Sequence, residues 1–184
     1  MFQKKVFKNR NYSGFSFMET IISVFLISIG MIAVIGLMAS SLRESLDSRD
    51  QVIATLLSQE GIELVRNIRD NNWVNDQGSF DAGFPASSDE NCRIDASSNL
   101  ISCGSALSLA LKLDADGIYN HSNGEDTKFQ RKIMIEYDND TDKNLATITS
   151  IVVWGNSFPL LLNDCASASK CAYAKTVLGH WGEN

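Results

Sequence analysis

Hydrophobic positions along the chain change their period twice. Residues 20–42 carry no charge and are apolar on every side. At about 1.5 Å of rise per residue, a helix over that stretch extends roughly 34 Å, enough to cross a bilayer. Beyond it, Leu42, Leu46, Ile53, Leu57, Leu64 and Ile68 recur at spacings of four and seven. Those spacings gather them within an arc of about 80° on a helix surface. The first proline is Pro85, so nothing breaks the pattern. It predicts one continuous helix over residues 15–69, on the order of 80 Å long. Its first half spans a membrane, and its second half carries an apolar stripe to lay on a sheet.

Asn71 and Asn72 then open a run rich in Gly, Ser, Asp and Asn as far as Gly104, which reads as the end of the helix and a long loop. After it the period falls to two. Leu107, Leu109, Leu111 and Leu113 alternate with Ser108, Ala110 and Lys112 and end at a turn over residues 114–117. Residues 129–137 alternate Ile133, Ile135 and Tyr137 against Lys132, Met134 and Glu136, and residues 146–154 are rich in Thr, Ile and Val. A polar hairpin loop, residues 138–144, joins those two strands, and further strands are expected over residues 159–162 and 173–178. No internal repeat is visible. The fold class is therefore α+β: a long N-terminal helix, membrane-spanning in its first half, packed on a small antiparallel sheet of about four strands. The expected divisions are a basic segment at 1–14, a transmembrane helix at 15–42, its amphipathic continuation at 43–70, and a globular sheet domain at 71–184.

Charge sharpens this division. Lys4, Lys5, Lys8 and Arg10 precede the first acid, Glu19, and the next charge is Arg43. A basic tip beside an apolar span places the N-terminus on the cytoplasmic side. Removing the four bases of the first fourteen residues takes the net charge from −6 to −10. Such an acidic body disfavours direct nucleic-acid binding, which needs Lys and Arg against phosphate. A cleaved secretory signal would have a shorter apolar core before its small-residue cut site.

Cys92, Cys103, Cys165 and Cys171 all lie downstream of the apolar block, as disulfides formed in an oxidising compartment would. Three connectivities are open. Short loops are entropically easiest to close, which favours Cys92 with Cys103 and Cys165 with Cys171. With no C-x-x-C pair, neither zinc nor thioredoxin-like chemistry is indicated.

The sharpest local signal is Gly14, Phe15, Ser16, Phe17, Met18, Glu19, set between the basic leader and the apolar block. It closely resembles the processing motif of type IV pilins and type II secretion pseudopilins. The resemblance implies that a membrane aspartyl prepilin peptidase cuts between Gly14 and Phe15, that the new Phe15 amine is methylated, and that Glu19 becomes the fifth mature residue. Each part has a physical reason. A glycine before the cut presents no side chain to the peptidase. A lone carboxylate facing lipid costs up to about 3 kcal/mol, and the Phe15 amine of a neighbouring subunit is a partner that would set the axial step of a filament. Ser28, Ile29, Gly30, Gly36 and Leu37 resemble the membrane segment of the minor pilins called type IV pilus modification proteins. Residues 56–73 and 128–135 look like a prepilin-type subgroup from bacteria with small genomes. Where major pilins often have a mid-helix proline this chain has Gly36, which leans toward a minor subunit.

Other candidates are weak. Asp138, Asp140 and Asp142 have the odd spacing of a calcium loop, but Lys143 and Thr149 stand where an EF-hand needs glycine and glutamate. His121 and His180, the only histidines, have no nucleophile near them in sequence and read as solvated loop residues. No phosphate-binding glycine loop is present. The expectation is a non-enzymatic structural minor subunit of a type IV pilus or related filament, without cofactor or metal. Its partners would be prepilin peptidase, other pilins, an inner-membrane assembly platform and, before assembly, membrane lipid. A pseudopilin and a non-polymerising signal-anchored extracytoplasmic protein are the alternatives.

Overall fold

The computed structural model describes residues 14, 16–75, 79–96, 100–139, 143–155, 158, 165 and 170–179. The chain divides into two compact units, Met1–Leu46 and Asp47–Asn184. A single helix, α1 (Phe17–Val74), contributes to both. Seven strands follow: β1 (Asp89–Arg93), β2 (Ser102–Cys103), β3 (Ala110–Leu113), β4 (Tyr119–Asn120), β5 (Glu125–Tyr137), β6 (Leu145–Trp154) and β7 (Cys171–Gly179). All pair antiparallel in one sheet. The α+β class read from the sequence is the observed one.

In the first unit, every described side chain of α1 is exposed. Four of its hydroxyls are nevertheless satisfied within the helix: Thr20 donates to the Phe17 carbonyl, Ser23 to that of Glu19, Ser28 to that of Val24 and Ser40 to that of Leu37, at 2.7–2.9 Å. Such back-bonding leaves these polar groups without need of water.

The second unit is organised around β5. One edge of β5 pairs with β6 along nearly its whole length, from Phe129↔Trp154 to Tyr137↔Ala146. Its other edge is shared, with β3 pairing near Gln130 and β1 near Ile133 and Ile135. On the face toward α1, Phe129, Arg131, Ile133, Ile135 and Tyr137 alternate with less buried neighbours, as period two requires. Ile62, Val65 and Ile68 of α1 close on Ile133, Ile135, Ile148 and Leu178. Ala54 and Leu57 close on Leu111, Phe129, Val152 and Trp154. Full burial of each such aliphatic side chain contributes about 1.5–3 kcal/mol. The opposite face is covered as well: Ile151 and Val153 pack with Cys165, Phe158, Met134 and Cys171. Coverage on both faces explains why β6 is apolar without alternation over Ile151, Val152, Val153 and Trp154.

Several expectations shift. Of the predicted stripe, Leu57 and Ile68 are buried and Ile53 and Leu64 half-buried, but Leu42 and Leu46 are exposed. The buried face runs through Asp50, Ala54, Leu57, Ser58, Gly61, Ile62, Val65, Ile68 and Arg69, turned roughly 80° from the apolar stripe at 100° per residue. Small residues set that rotation. A Cβ at Gly61 would stand 3.0 Å from Ile133 Cδ1 and 3.2 Å from Ser150 Cβ, and would overlap the Ser150 hydroxyl. The helix therefore approaches β5 and β6 closely at Gly61, with Ile62, Val65 and Ile68 of the same face filling the core beside it.

Nor does α1 end at Asn71 and Asn72. It continues through Val74 because these amides find partners: Asn71 donates to Asn67 Oδ1 at 2.8 Å, and Asn72 to the carbonyls of Phe80 and Ala82 at 3.0 and 2.7 Å. Within the presumed long loop, polar β1 and β2 form because β5 supplies a partner and because Cys92 sits opposite Cys103. The strand expected from Leu107 begins at Ala110, and β4 was not foreseen. The turn over residues 114–117 is present: Asp114 Oδ1 accepts from the Asp116 and Ile118 amides, and Gly117 takes a left-handed φ of 80°. The strand expected over residues 159–162 lies outside the described residues.

Candidate functional site

The resemblance drawn from the sequence centres on the start of α1. Gly14 is exposed, with nothing within 4 Å of where a Cβ would be. Phe15 lies outside the described residues. Ser16 stands at the N-cap, its carbonyl accepting from the Glu19 and Thr20 amides at 2.9 and 3.2 Å. Glu19 is the acid of the first turn, where a negative charge complements the helix dipole. Ser16 and Glu19 thus have the spacing of a capping box, a second use for a carboxylate here. From Phe17 onward the large apolar side chains Met18, Ile21, Ile22, Val24, Phe25 and Leu26 are all exposed. The described residues hold one helix long and apolar enough to cross a membrane, and none of its most apolar stretch is buried.

In the second unit Cys92 is bonded to Cys103, and Cys165 to Cys171. The first bond joins directly opposed residues of β1 and β2, and the second anchors the covering of the sheet's far face. Asp89 has a carboxylate oxygen within 4.8 Å of both Cys92 and Cys103 sulfurs, a spacing that metal ligands share. Bonded to each other, those sulfurs offer no thiolate, and only the thiolate ligates strongly. Asp138 closes the β5–β6 hairpin, its amide donating to the Leu145 carbonyl at 3.1 Å and its Oδ1 accepting from the Leu145 amide at 3.2 Å. Asp140 and Asp142 lie outside the described residues.

Sequence reasoning missed a buried polar network. Arg131, with no exposed surface, donates from Nη2 to the Ile94 carbonyl at 2.9 Å and from Nη1 to the Leu57 carbonyl at 3.3 Å, and it pairs with Glu60 at 3.4 Å. Burial pushes its pKa down while Glu60 and Asp95 pull it up; a guanidinium keeps its charge regardless. His121 corrects the expectation of a solvated loop residue: it is buried, and its ring meets the Ala110 carbonyl. His180 lies outside the described residues. Nearer the start of the second unit, Asp50 on α1 pairs with Lys128 of β5 at 2.5 Å. An alternating strand with Arg131 at an inward position was the available signal, since Phe129, Ile133 and Ile135 share its parity.

No protein-family model, curated protein or solved structure matches this chain.

Proposed function

We propose that this chain is a structural minor subunit of a type IV pilus or related filament, cut by a prepilin peptidase between Gly14 and Phe15 and recruited through α1. The observation that carries the reading is the junction itself: Gly14, Phe15 and Glu19 stand immediately ahead of a charge-free helical stretch whose apolar side chains have no cover within the first unit. Lipid before assembly, and the same stretch of other subunits after it, are the environments that suit such a surface. The leader stays on the cytoplasmic side and the second unit is exported, where its two disulfides form. The role is mechanical, with no catalysis and no cofactor.

Mass spectrometry of the mature N-terminus, with and without a prepilin peptidase, tests the reading. The expected product begins at methylated Phe15, and Gly14→Leu leaves the full-length precursor in the membrane. A terminus near Leu42 would mean a secretory signal and would overturn the filament role. Processing at Phe15 without entry into any filament would favour the signal-anchored alternative, and entry into a secretion assembly the pseudopilin.

A further inference from the structure

One corner of the second unit, where β3, β4 and β5 meet, holds a buried ionisable group that filament assembly does not use. His121 directly follows β4 and is 5% exposed. Its Nδ1 lies 3.1 Å from the Ala110 carbonyl oxygen, which can only accept, so Nδ1 carries the proton of the neutral ring. Nε2 is buried and has no hydrogen-bond partner among the described residues. The His121 amide donates to Asp95 Oδ1 at 2.8 Å, and the Ser122 hydroxyl donates to Asp95 Oδ2 at 3.3 Å. A single residue thus joins β3, the segment after β4 and the segment after β1.

The charges acting on the ring come from three places. Arg131 of β5 and Arg93 of β1 oppose a positive imidazole, and Asp95 favours it. Glu60 of α1 is engaged with Arg131. We propose that His121 is a proton-operated latch: neutral, its ring fastens β3 to the segment after β4, and protonated, it gains an Nε2–H with no acceptor near a buried guanidinium, which loosens that corner of the sheet. The step is the addition of one solvent proton to Nε2. A buried donor without an acceptor and a second like charge both act against the closed arrangement.

The direction of the pH effect follows. Burial first, and then the Arg131 charge, hold the His121 pKa below its ordinary 6.5, against the pull of Asp95 and the Ala110 carbonyl. The latch therefore holds fully above pH 6.5 and weakens as pH falls below it, because the open form takes up a proton that the closed form refuses. One proton changes the opening equilibrium by at most about tenfold per pH unit.

Hydrogen exchange followed by NMR on the full chain in detergent micelles tests this, with protection factors compared from pH 7.5 to 5. The amides of His121, Asp114 and Arg131 are expected to lose protection progressively below pH 6.5, by no more than about tenfold per pH unit, while the central amides of β6 keep theirs. In His121→Gln, which does not titrate, that local loss should disappear. An identical loss in the variant, or one shared equally by β6, overturns the proposal. Should His121→Gln fail to fold, direct titration of the His121 ring, with His180→Gln removing the other imidazole signal, decides instead. A midpoint below 6.5 supports the latch, and one at or above 6.5 sinks it. None of these readouts depends on filament assembly.

Discussion

Arg131 of β5 donates through Nη1 to the carbonyl oxygen of Leu57 on α1, across 3.3 Å and a sequence separation of 74 residues. The bond fastens the helix to the central strand at a point where both side chains are buried. Arg131→Ala is expected to destabilise the second unit by about 3 kcal/mol, since it leaves a void and frees two carbonyl partners. Arg131→Met, which fills the volume without a charge to desolvate, should lose less than half as much. Denaturant unfolding in micelles measures both. Equal losses would mean that the polar network and not volume matters here.

The close approach at Gly61 yields a second expectation. Gly61→Ala should cost about 1–3 kcal/mol through overpacking, because its Cβ would press on Ser150 and Ile133. The Ser150 hydroxyl is buried without a partner among the described residues, so Ser150→Ala should be nearly neutral alone and should recover part of the Gly61→Ala loss. A double-mutant cycle reads this coupling. Strict additivity would show that the helix moves aside instead.

Asp81 supplies a pH dependence opposite in residue type but equal in sign to that of His121. Burial raises its pKa, yet the Ser79 hydroxyl and Lys143 Nζ, the latter at 3.3 Å, outweigh burial and hold the carboxyl below its ordinary 3.8. Its contribution is complete above pH 3.8 and is lost as pH falls through the depressed folded value. Lys143 also lies 4.5 Å from the centre of the Tyr137 ring. Lys143→Met should therefore lower stability at pH 7 and flatten its acid limb, as thermal unfolding from pH 7 to 2.5 would reveal. An unchanged acid limb would remove Asp81 from the account.

Glu19 connects to the proposed function. Glu19→Gln keeps the capping-box spacing with Ser16 and removes only the charge. If the carboxylate pairs with a neighbour's Phe15 amine, the variant should be cut and should fold, but should be depleted from sheared filaments relative to its membrane level. Normal incorporation at normal abundance would show that helix packing alone recruits the subunit.

The long helix, the β5–β6 hairpin and β7 were legible because each rests on a local period with few competing demands. Where the sequence misled, a tertiary partner decided the matter. Leu42 and Leu46 share an arc with Leu57, yet they lie in the first unit, where no described side chain is buried. In the second unit the buried face turns to take in Ala54, Ser58 and Gly61, small side chains that a hydrophobicity pattern ignores. β1 has no apolar alternation at all, and it is a strand because of β5 and the Cys92–Cys103 bond. His121 looked solvated because nothing within a few residues of it foretells Ala110 or Arg131. At the start of α1 the reverse holds: the motif of Gly14, Phe15 and Glu19 is written contiguously, and folding does little to assemble it.

The central place of β5 also dictates a schedule. In the proposed export the residues that follow the membrane stretch cross first, so Ile62, Val65 and Ile68 arrive long before Ile133, Ile135, Ile148 and Leu178, the residues that will cover them. Contacts so distant in sequence close slowly. The second unit cannot shut until β7, the last strand among the described residues, has come through and paired with β6. A chain interrupted in that proposed export would thus display a bare helix face, which distinguishes the unfinished molecule from the finished one.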